Sequence, residues 1–161
     1  DLDPGLVSFL AHSEEMTAPQ FQQMSNHESG LLGVSEISAD MRDLLAREAD
    51  DVRAAEAVAL FCYQAKKWVG AFTAALGGLD TLVFSAGIGE RSASIRARIC
   101  QGLDFLGVEL HDGRNAAHAP VISAEGSRVT VRVIPTNEEL MIARSASRVL
   151  RLGAYTTDPE P

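Results

Sequence analysis

The sequence predicts a layered α/β domain in which helices cover a small sheet. Apolar residues recur at three- and four-residue steps over several segments, which is the period of an amphipathic helix. Short runs at Thr81–Phe84 and Arg128–Ile134 have the length and residue pattern of strands. Each of these runs leads directly into a helical segment. Because α/β domains bind ligands at the carboxyl ends of such strands, we expect the functional site there.

Composition and net charge limit the possible functions. The 161 residues, 46% apolar and 22% charged, have the proportions of an ordinary globular domain. A net charge of −8 leaves no basic stripe for a phosphate backbone, so nucleic acid is not an expected partner. The most apolar stretch, Trp68–Leu79, is shorter than the ~20 residues that a bilayer span needs. Cys62 and Cys100 lack metal-ligand spacing and favour a reducing, cytoplasmic location with both thiols in the core.

The first eighty residues are predicted to be mainly helical. Capping residues, prolines and the onset of apolar periodicity indicate helices that begin at Asp3-Pro4, at Thr17, near Asp40 and near Val52. Ser25–Gly30 is typical of a turn, and Gly30–Ser38 is expected to be a loop. The last helix should end at Gly77-Gly78. Its predicted buried stripe consists of Val58, Phe61, Cys62, Val69, Phe72 and Leu76.

The second half is predicted to alternate strands and helices. Thr81–Phe84 is almost wholly apolar, so we expect a strand that is covered on both faces. A helical period runs from Ser92 to Leu106, and Arg128–Ile134 alternates apolar and polar residues as a half-buried strand does. The remaining predictions are brief strands at Val108–Leu110 and Val121–Ile122, a helix at Asn137–Leu150 and a frayed tail after it.

The segment Phe84-Ser85-Ala86-Gly87-Ile88-Gly89-Glu90-Arg91-Ser92 turns from a strand into a helix through two glycines. Glycines let backbone N–H groups approach a ligand, and a helix N-terminus adds unpaired donors, so such a turn can hold a phosphate without a basic side chain. An ordinary turn that needs a positive φ at glycine is an equally good interpretation. The segment has neither the third glycine of a dinucleotide fingerprint nor the lysine of a P-loop.

Two carboxylates follow the second strand. Thr136 and Glu139 have the spacing of a capping box, in which the two side chains cap each other's backbone N–H groups. Glu138 has no such role, and a carboxylate beside a phosphate site is a ligand that Mg²⁺ uses. The alternative is that Glu138 only complements the helix dipole.

A third group is Ser38-Ala39-Asp40-Met41-Arg42-Asp43. It is typical of a helix start in which Arg42 pairs with an acidic neighbour on a solvated face. In a functional interpretation, the arginine plane stacks on a purine and the aspartate accepts a hydrogen bond from a ribose or an amine. The four histidines are scattered and no Gly-x-Ser-x-Gly elbow is present, so neither a zinc site nor a hydrolase of that type is indicated.

Taken together and in this order, these segments resemble the acetate and propionate kinase family. The matching stretches are Asp1–Gly5, Ser29–Gly33, Ile37–Asp43, Ala74–Asp80, Val83–Glu90, Leu106-Gly107 and Val133–Leu140. The match spans nearly the whole chain up to about Leu150, and so many segments in register make the resemblance more specific than any single motif. It implies an RNase H-like domain of the actin-like and hexokinase-like ATPase superfold, with a central mixed sheet and helices.

The resemblance also implies an activity: reversible phosphoryl transfer between ATP and acetate, giving acetyl phosphate and ADP, with Mg²⁺ and in a homodimer. By similarity, the nucleotide would be bound by Asp40, Met41, Arg42, Gly87, Ile88, Gly89, Glu90 and Arg91, and the metal by Glu138. One position departs from the family. Arg91 stands where the family usually has asparagine, which puts an asparagine-specific hydrogen bond to nucleotide in question.

Family enzymes are longer, and this chain corresponds to their C-terminal part. It starts at Asp1, inside a family motif and without methionine, so we expect a fragment or a cleaved product. Residues 1–150 would be the nucleotide-binding domain and 151–161 a tail. The catalytic histidine and arginine, the asparagine that shares the metal, and the acetate pocket would lie outside the chain, which is therefore expected to be inactive alone.

Two alternatives stay open. Because the acid pocket is expected outside this chain, a propionate- or butyrate-type kinase fits the sequence as well. The other is a free-standing, non-catalytic module that binds nucleotide or a second subunit. The apolar helix Val52–Leu76 offers more apolar surface than a small core needs, and this extra surface favours dimerisation.

Overall fold

The computed structural model describes residues 3–150; the predicted tail lies outside them. The helices are α1 Pro4–Ser13, α2 Ala18–Gln23, α3 Gly30–Ser35, α4 Met41–Arg47, α5 Val52–Leu76, α6 Ala86–Arg91, α7 Ala93–Cys100, α8 Asp112–Ala116 and α9 Glu138–Leu150. The strands are β1 Thr81–Phe84 and β2 Thr130–Val133. A π-helical turn covers Met24–Glu28, and a 3-10 turn covers Asp104–Leu106. None of the described helices is both long and apolar enough to span a membrane.

The described residues form two compact units. The first contains the residues up to Leu79 together with Arg98–Gln101. The second contains Asp80–Ala97 and the described residues from Gly102 onward.

The first unit is built on α5, against which α3 and α4 pack. Its start is fixed by Asp51, whose Oδ1 accepts hydrogen bonds from the backbone N–H groups of Arg53 at 2.9 Å and Ala54 at 3.2 Å. The predicted stop at Gly77 is confirmed, because Gly77 adopts a left-handed φ of 75° that favours glycine. The unit buries Met41, Leu44, Ala54, Ala57, Val58 and Cys62.

The predicted buried stripe of α5 is correct only in its first half. Val58 and Cys62 are buried, but Phe72 is 60% exposed and Leu76 is 76% exposed. The apolar period identifies one face of the helix, whereas burial also requires a partner. Four of the five buried residues of α5 lie at or before Cys62, so the far end of the stripe is left largely uncovered.

Two loop predictions in the first unit are wrong. Gly30–Ser35 is helical, and most of the predicted turn before it is the π-helical turn Met24–Glu28. Packing of α3 against α5 supplies the tertiary contacts that outweigh the loop-like composition. At the end of α3, Ser35 is buried, and its Oγ donates a hydrogen bond to the backbone carbonyl of Ser38 at 3.0 Å.

An ion pair ties α7 to the end of α4 within the first unit. Arg98 donates to both carboxylate oxygens of Glu48, at 2.7 and 2.6 Å. These hydrogen bonds lower the pKa of Glu48, and burial raises the pKa of the nearby Cys62 thiol. Both cysteines are buried, as the sequence predicts.

The second unit contains the sheet. β1 and β2 are parallel, with Thr81 opposite Thr130 and Phe84 opposite Val133. The brief strands predicted around residues 110 and 122 are present only as isolated antiparallel bridges, Leu110 to Ser123 and Val121 to Arg132. The predicted mixed sheet is therefore a parallel pair with antiparallel bridges beside β2.

The strand burial follows the prediction for β2 but not for β1. In β2, Val131 and Val133 are buried and their neighbours are exposed, which confirms the alternation. In β1, Phe84 is buried but Val83 is 45% exposed, so the prediction of two covered faces is wrong. The helix predicted over Ser92–Leu106 also breaks after Cys100, because Gly102 takes a left-handed φ of 76°.

Candidate functional site

The parallel pairing makes both strands of the second unit end at the same edge. The backbone N–H of Ile134, just after β2, donates to the carbonyl of Phe84 at the end of β1, at 2.9 Å. Two segments leave the sheet from this point: the turn into α6 and the connection into α9. The pairing therefore places the two sequence motifs of this unit side by side.

The turn into α6 is strained at an unexpected residue. The sequence suggests a positive φ at glycine, but Gly87 and Gly89 do not have one; Ala86, the first residue of α6, takes a φ of 58°. A left-handed conformation at a residue with a Cβ costs roughly 1–2 kcal/mol and is retained only where the surroundings impose it. Such outliers are frequent at ligand sites.

The two glycines of this turn differ in what surrounds them. A Cβ added at Gly89 would lie 3.4 Å from the carbonyl carbon of Phe84, so this position is in close contact with β1. A Cβ added at Gly87 would meet no described atom within 4 Å. Neither backbone conformation nor packing within the protein requires glycine at position 87, which leaves open space beside its backbone.

Glu90 connects the two segments. Its Oε1 accepts a hydrogen bond from the backbone N–H of Thr136 at 2.8 Å and another from the Thr136 hydroxyl at 2.9 Å. The Thr136 backbone and hydroxyl, with a smaller contribution from the backbone of Ala86, lower the pKa of Glu90. The carboxylate is therefore ionised at neutral pH and faces the start of α9.

The predicted capping box at Thr136 and Glu139 is wrong. Helix α9 begins at Glu138, and the side chain of Asn137 accepts the hydrogen bond from the backbone N–H of Leu140 at 2.9 Å. The hydroxyl of Thr136 is bound to Glu90 instead of capping the helix. Glu138 and Glu139 are both exposed in the first turn of α9.

The third motif lies in the first unit and starts α4. Asp40 caps the helix by accepting from the backbone N–H of Arg42 at 2.8 Å, and it also pairs with the Arg42 guanidinium. These hydrogen bonds, the side-chain one first, lower the pKa of Asp40 from 3.8 to about 2. The predicted pair on a solvated face is confirmed, because the Arg42 side chain is 87% exposed.

Met41 is placed differently from its neighbours. Only 4% of this residue is exposed, and it belongs to the core of the first unit together with Leu44. Its side chain anchors α4, while Asp40 and Arg42 project from the same helix start. Of the three candidates at this point, only the two charged side chains are available to a ligand.

The structure thus divides the candidate residues between the units. Gly87, Ile88, Gly89, Glu90, Arg91 and Glu138 belong to the second unit, whereas Asp40, Met41 and Arg42 belong to the first. Within residues 3–150, no three His, Cys, Asp or Glu side chains form a metal-binding cluster. A cation near Glu138 would thus need ligands besides the His, Cys, Asp and Glu side chains of these residues.

Sequence reasoning missed Arg96. This residue is fully buried and donates to the carbonyls of Gly89 and Glu90, at 2.9 and 2.8 Å. An arginine between apolar positions of α7 is assigned to the solvated face by helical periodicity. The sequence gives no signal that Arg96 faces inward; only the structure shows that both Arg96 and its neighbour Ile95 are buried.

The acetokinase family model matches residues 1–144 of the chain. This chain belongs to the acetokinase family. It is 46% identical over 151 residues to acetate kinase 1 of Latilactobacillus sakei, a match that covers 92% of this chain and 38% of that protein. It is 47% identical over 150 residues to a propionate kinase of Citrobacter rodentium, covering 92% and 37%. The acetokinase chain thus spans less than two-fifths of these relatives' length.

Solved structures agree with this membership. The chain is similar to Porphyromonas gingivalis acetate kinase with a TM-score of 0.83 at 38% identity, covering 93% of this chain and 39% of that one. It is similar to a Francisella tularensis propionate kinase with a TM-score of 0.82 at 33% identity, covering 89% and 37%. The predicted fold class, an α/β RNase H-like domain of the actin-like superfold, is confirmed.

The acidity of Asp40 provides a test of the α4 geometry. In the variant Arg42→Gln, the pKa of Asp40 should rise from about 2 toward its ordinary 3.8, because the charged donor is lost while the backbone cap remains. The stabilisation from this carboxylate is present above its unfolded pKa and is lost as the pH falls toward 2. Carboxyl NMR titration measures the shift, and Arg47→Gln in the same helix is the control; equal Asp40 values in the two variants would contradict the pairing.

The space beside Gly87 predicts that alanine is tolerated there. Gly87→Ala should leave the free energy of unfolding unchanged or raise it by up to about 1 kcal/mol, since glycine is the poorer helix residue. Gly107→Ala is the contrasting variant: Gly107 has a φ of 90°, and an added Cβ would lie 2.8 Å from Arg128. Urea denaturation should show a loss for Gly107→Ala only; a comparable loss for Gly87→Ala would mean that the turn itself requires glycine.

Proposed function

We propose that this chain is the nucleotide-binding part of an acetate kinase, which transfers a phosphoryl group reversibly between ATP and acetate to give acetyl phosphate and ADP. The observation that carries the proposal is the family match over residues 1–144, which includes both motifs at the shared edge of the sheet. Phosphoryl transfer depends mainly on positioning and on charge stabilisation, and the chain's residues are suited to those tasks.

In the second unit, the turn after β1 would hold nucleotide phosphate. Open space beside Gly87 lets a ligand approach the backbone, and the start of α6 contributes N–H donors. Arg91 is exposed and adds a positive charge beside this turn. Ile88 and Gly89 would contribute through their backbone atoms. The close contact of Gly89 with β1 fixes the position of its backbone.

In the first unit, Asp40 and Arg42 would contact the base and ribose. The exposed guanidinium of Arg42 is held in place by Asp40, so its planar face is pre-oriented for stacking on a purine. Asp40 retains its charge at neutral pH and can accept a hydrogen bond from a hydroxyl or an amine. Met41 contributes by fixing both residues to the core.

Glu138 fits the chemistry of a magnesium ligand. Its carboxylate is exposed at the start of α9 and has no hydrogen bond or ion pair with the described residues. Mg²⁺ is commonly held by one or two carboxylates, with phosphate oxygens and water completing its shell, so Glu138 would be the carboxylate that this chain contributes. When bound, the ion would neutralise charge on the phosphates during transfer.

A propionate kinase is the second candidate function. The relatives include an acetate kinase at 46% identity and a propionate kinase at 47%, so similarity does not separate them. We assign the acid pocket, the catalytic histidine and arginine, and the second metal ligand to family segments that this chain does not span. Full-length activity with acetate and with propionate separates the two candidates.

Two further properties belong to the proposal. The exposed apolar residues Phe72 and Leu76 at the end of α5 support burial of this surface in a homodimer. The two buried cysteine thiols support a reducing compartment such as the cytoplasm.

Titration calorimetry of MgADP into the chain tests the nucleotide site. Glu138→Gln should lower the affinity about tenfold or more in the presence of Mg²⁺ and leave Mg²⁺-free ADP binding unchanged, because only the metal contact is lost. Glu139→Gln is the matched control, since it removes an equivalent charge from the same helix turn. Absence of MgADP binding by the folded wild-type chain, or equal losses in both variants, would contradict the assignment.

The chain alone should not make acetyl phosphate from ATP and acetate. Half of a phosphoryl-transfer site supplies positioning on one side only, and the remaining catalytic groups are assigned elsewhere. A coupled assay of the purified 161-residue chain against a buffer blank measures this. Turnover above the blank that copurifies with the chain would show that the catalytic groups lie within it.

A further inference from the structure

Arg96 holds the end of α6 from inside the second unit. The side chain is fully buried. Its Nη1 donates to the carbonyls of Gly89 at 2.9 Å and Glu90 at 2.8 Å, and its Nε donates to Oδ1 of Asn115 at 2.8 Å. Asn115 in turn donates to the carbonyl of Ala93 at 2.9 Å. These bonds satisfy carbonyls that a helix end leaves unpaired, and they fix the backbone of the glycine-containing turn.

The carbonyl of Glu90 has a second donor. Nδ1 of His118 lies 2.8 Å from this oxygen and 3.3 Å from Nη2 of Arg96. A bare nitrogen lone pair facing a carbonyl at this distance would be repulsive, so we assign the proton to Nδ1 and the donation to Glu90. The backbone of Glu90 is thus fixed by two side chains, Arg96 from α7 and His118 from the segment that follows α8.

The side chain of Glu90 faces a different segment from its backbone. Its carboxylate binds the N–H and the hydroxyl of Thr136, two residues before Glu138. A residue fixed at its backbone and bound at its carboxylate transmits the position of one segment to the other. Since both acceptor positions at Oε1 are used by Thr136, this oxygen is committed to the protein.

We infer that Glu90 is a positioning residue, whose carboxylate fixes the first turn of α9, and with it Glu138, relative to the nucleotide-binding turn. This inference rests on the proposed function and changes the role of Glu90 from a nucleotide ligand to a link between two ligand-binding segments. Arg96 and His118 fix the backbone of Glu90 through hydrogen bonds to its carbonyl. The coupling makes phosphate binding at the turn and metal binding at Glu138 depend on one contact.

Amide hydrogen exchange on the chain tests the link without any ligand. Thr136→Val removes the hydroxyl bond and should speed exchange roughly threefold both in Ala86–Arg91 and in the first turn of α9, while Glu90→Ala, which removes both bonds, should speed it about tenfold. Thr136→Ser keeps the hydroxyl and should restore wild-type exchange. Thr130→Val is the matched control, because this exposed threonine in β2 makes no side-chain hydrogen bond with the described residues.

The pattern of exchange separates positioning from local capping. If Thr136→Val and Glu90→Ala speed exchange only in α9 and leave Ala86–Arg91 unchanged, Glu90 is merely a cap and the inference is overturned. Unchanged exchange in both segments would overturn it as well. All four variants carry changes on exposed or partly exposed residues, so each is expected to fold, with circular dichroism as the check.

Calorimetry then separates this inference from the proposed function. In a chain that binds nucleotide, Thr136→Val should weaken MgADP roughly threefold with a smaller effect on Mg²⁺-free ADP, and Thr136→Ser should bind as wild type does. Equal MgADP affinities of wild type and Thr136→Val would overturn the positioning role while the nucleotide site stands. Failure of the wild type to bind would count against the proposed function, and the exchange experiment would still decide whether Glu90 links the segments.

Discussion

The parallel pairing of β1 with β2 is the constraint on which the second unit depends. It aligns Phe84 with Val133, so the two strands end together and the N–H of Ile134 closes the ladder on the carbonyl of Phe84. An antiparallel pair would send the two following segments to opposite ends of the sheet. Only the parallel register brings the turn into α6 beside the start of α9, where Glu90 reaches Thr136.

Two carboxylates, one at this edge and one at the start of α4, are held in the ionised state by hydrogen bonds to the protein. Asp40 is held by Arg42, and Glu90 by Thr136, and in each case the bond lowers the pKa of the carboxyl. Glu138 differs, since it has no bond to the described residues. Two of these carboxylates therefore organise the backbone while the third is exposed to solvent, although all three are acidic residues at or beside the ends of helices.

The ends of several helices could be predicted from the sequence, because local signals determine them. Proline after Asp3, Asp40 as a cap and Gly77 as a stop depend on backbone geometry within a few residues, and the structure confirms all three. The capping box at Thr136 failed because Glu90, 46 residues away, competes for the same hydroxyl. The buried end of the α5 stripe failed because periodicity identifies a face but does not supply the partner that covers Phe72.

By itself, the sequence determined the fold class, the family and the two segments that leave the sheet, since apolar periodicity and ordered motifs are properties of the chain alone. The tertiary structure decided which residue carries the strain in the turn, Ala86, and which arginine holds that turn, Arg96. It also decided that Glu90 turns toward Thr136. The physical reason is that burial, a left-handed φ and a hydrogen bond between distant residues depend on which segments the fold places in contact, and helical or strand periodicity carries no information about that.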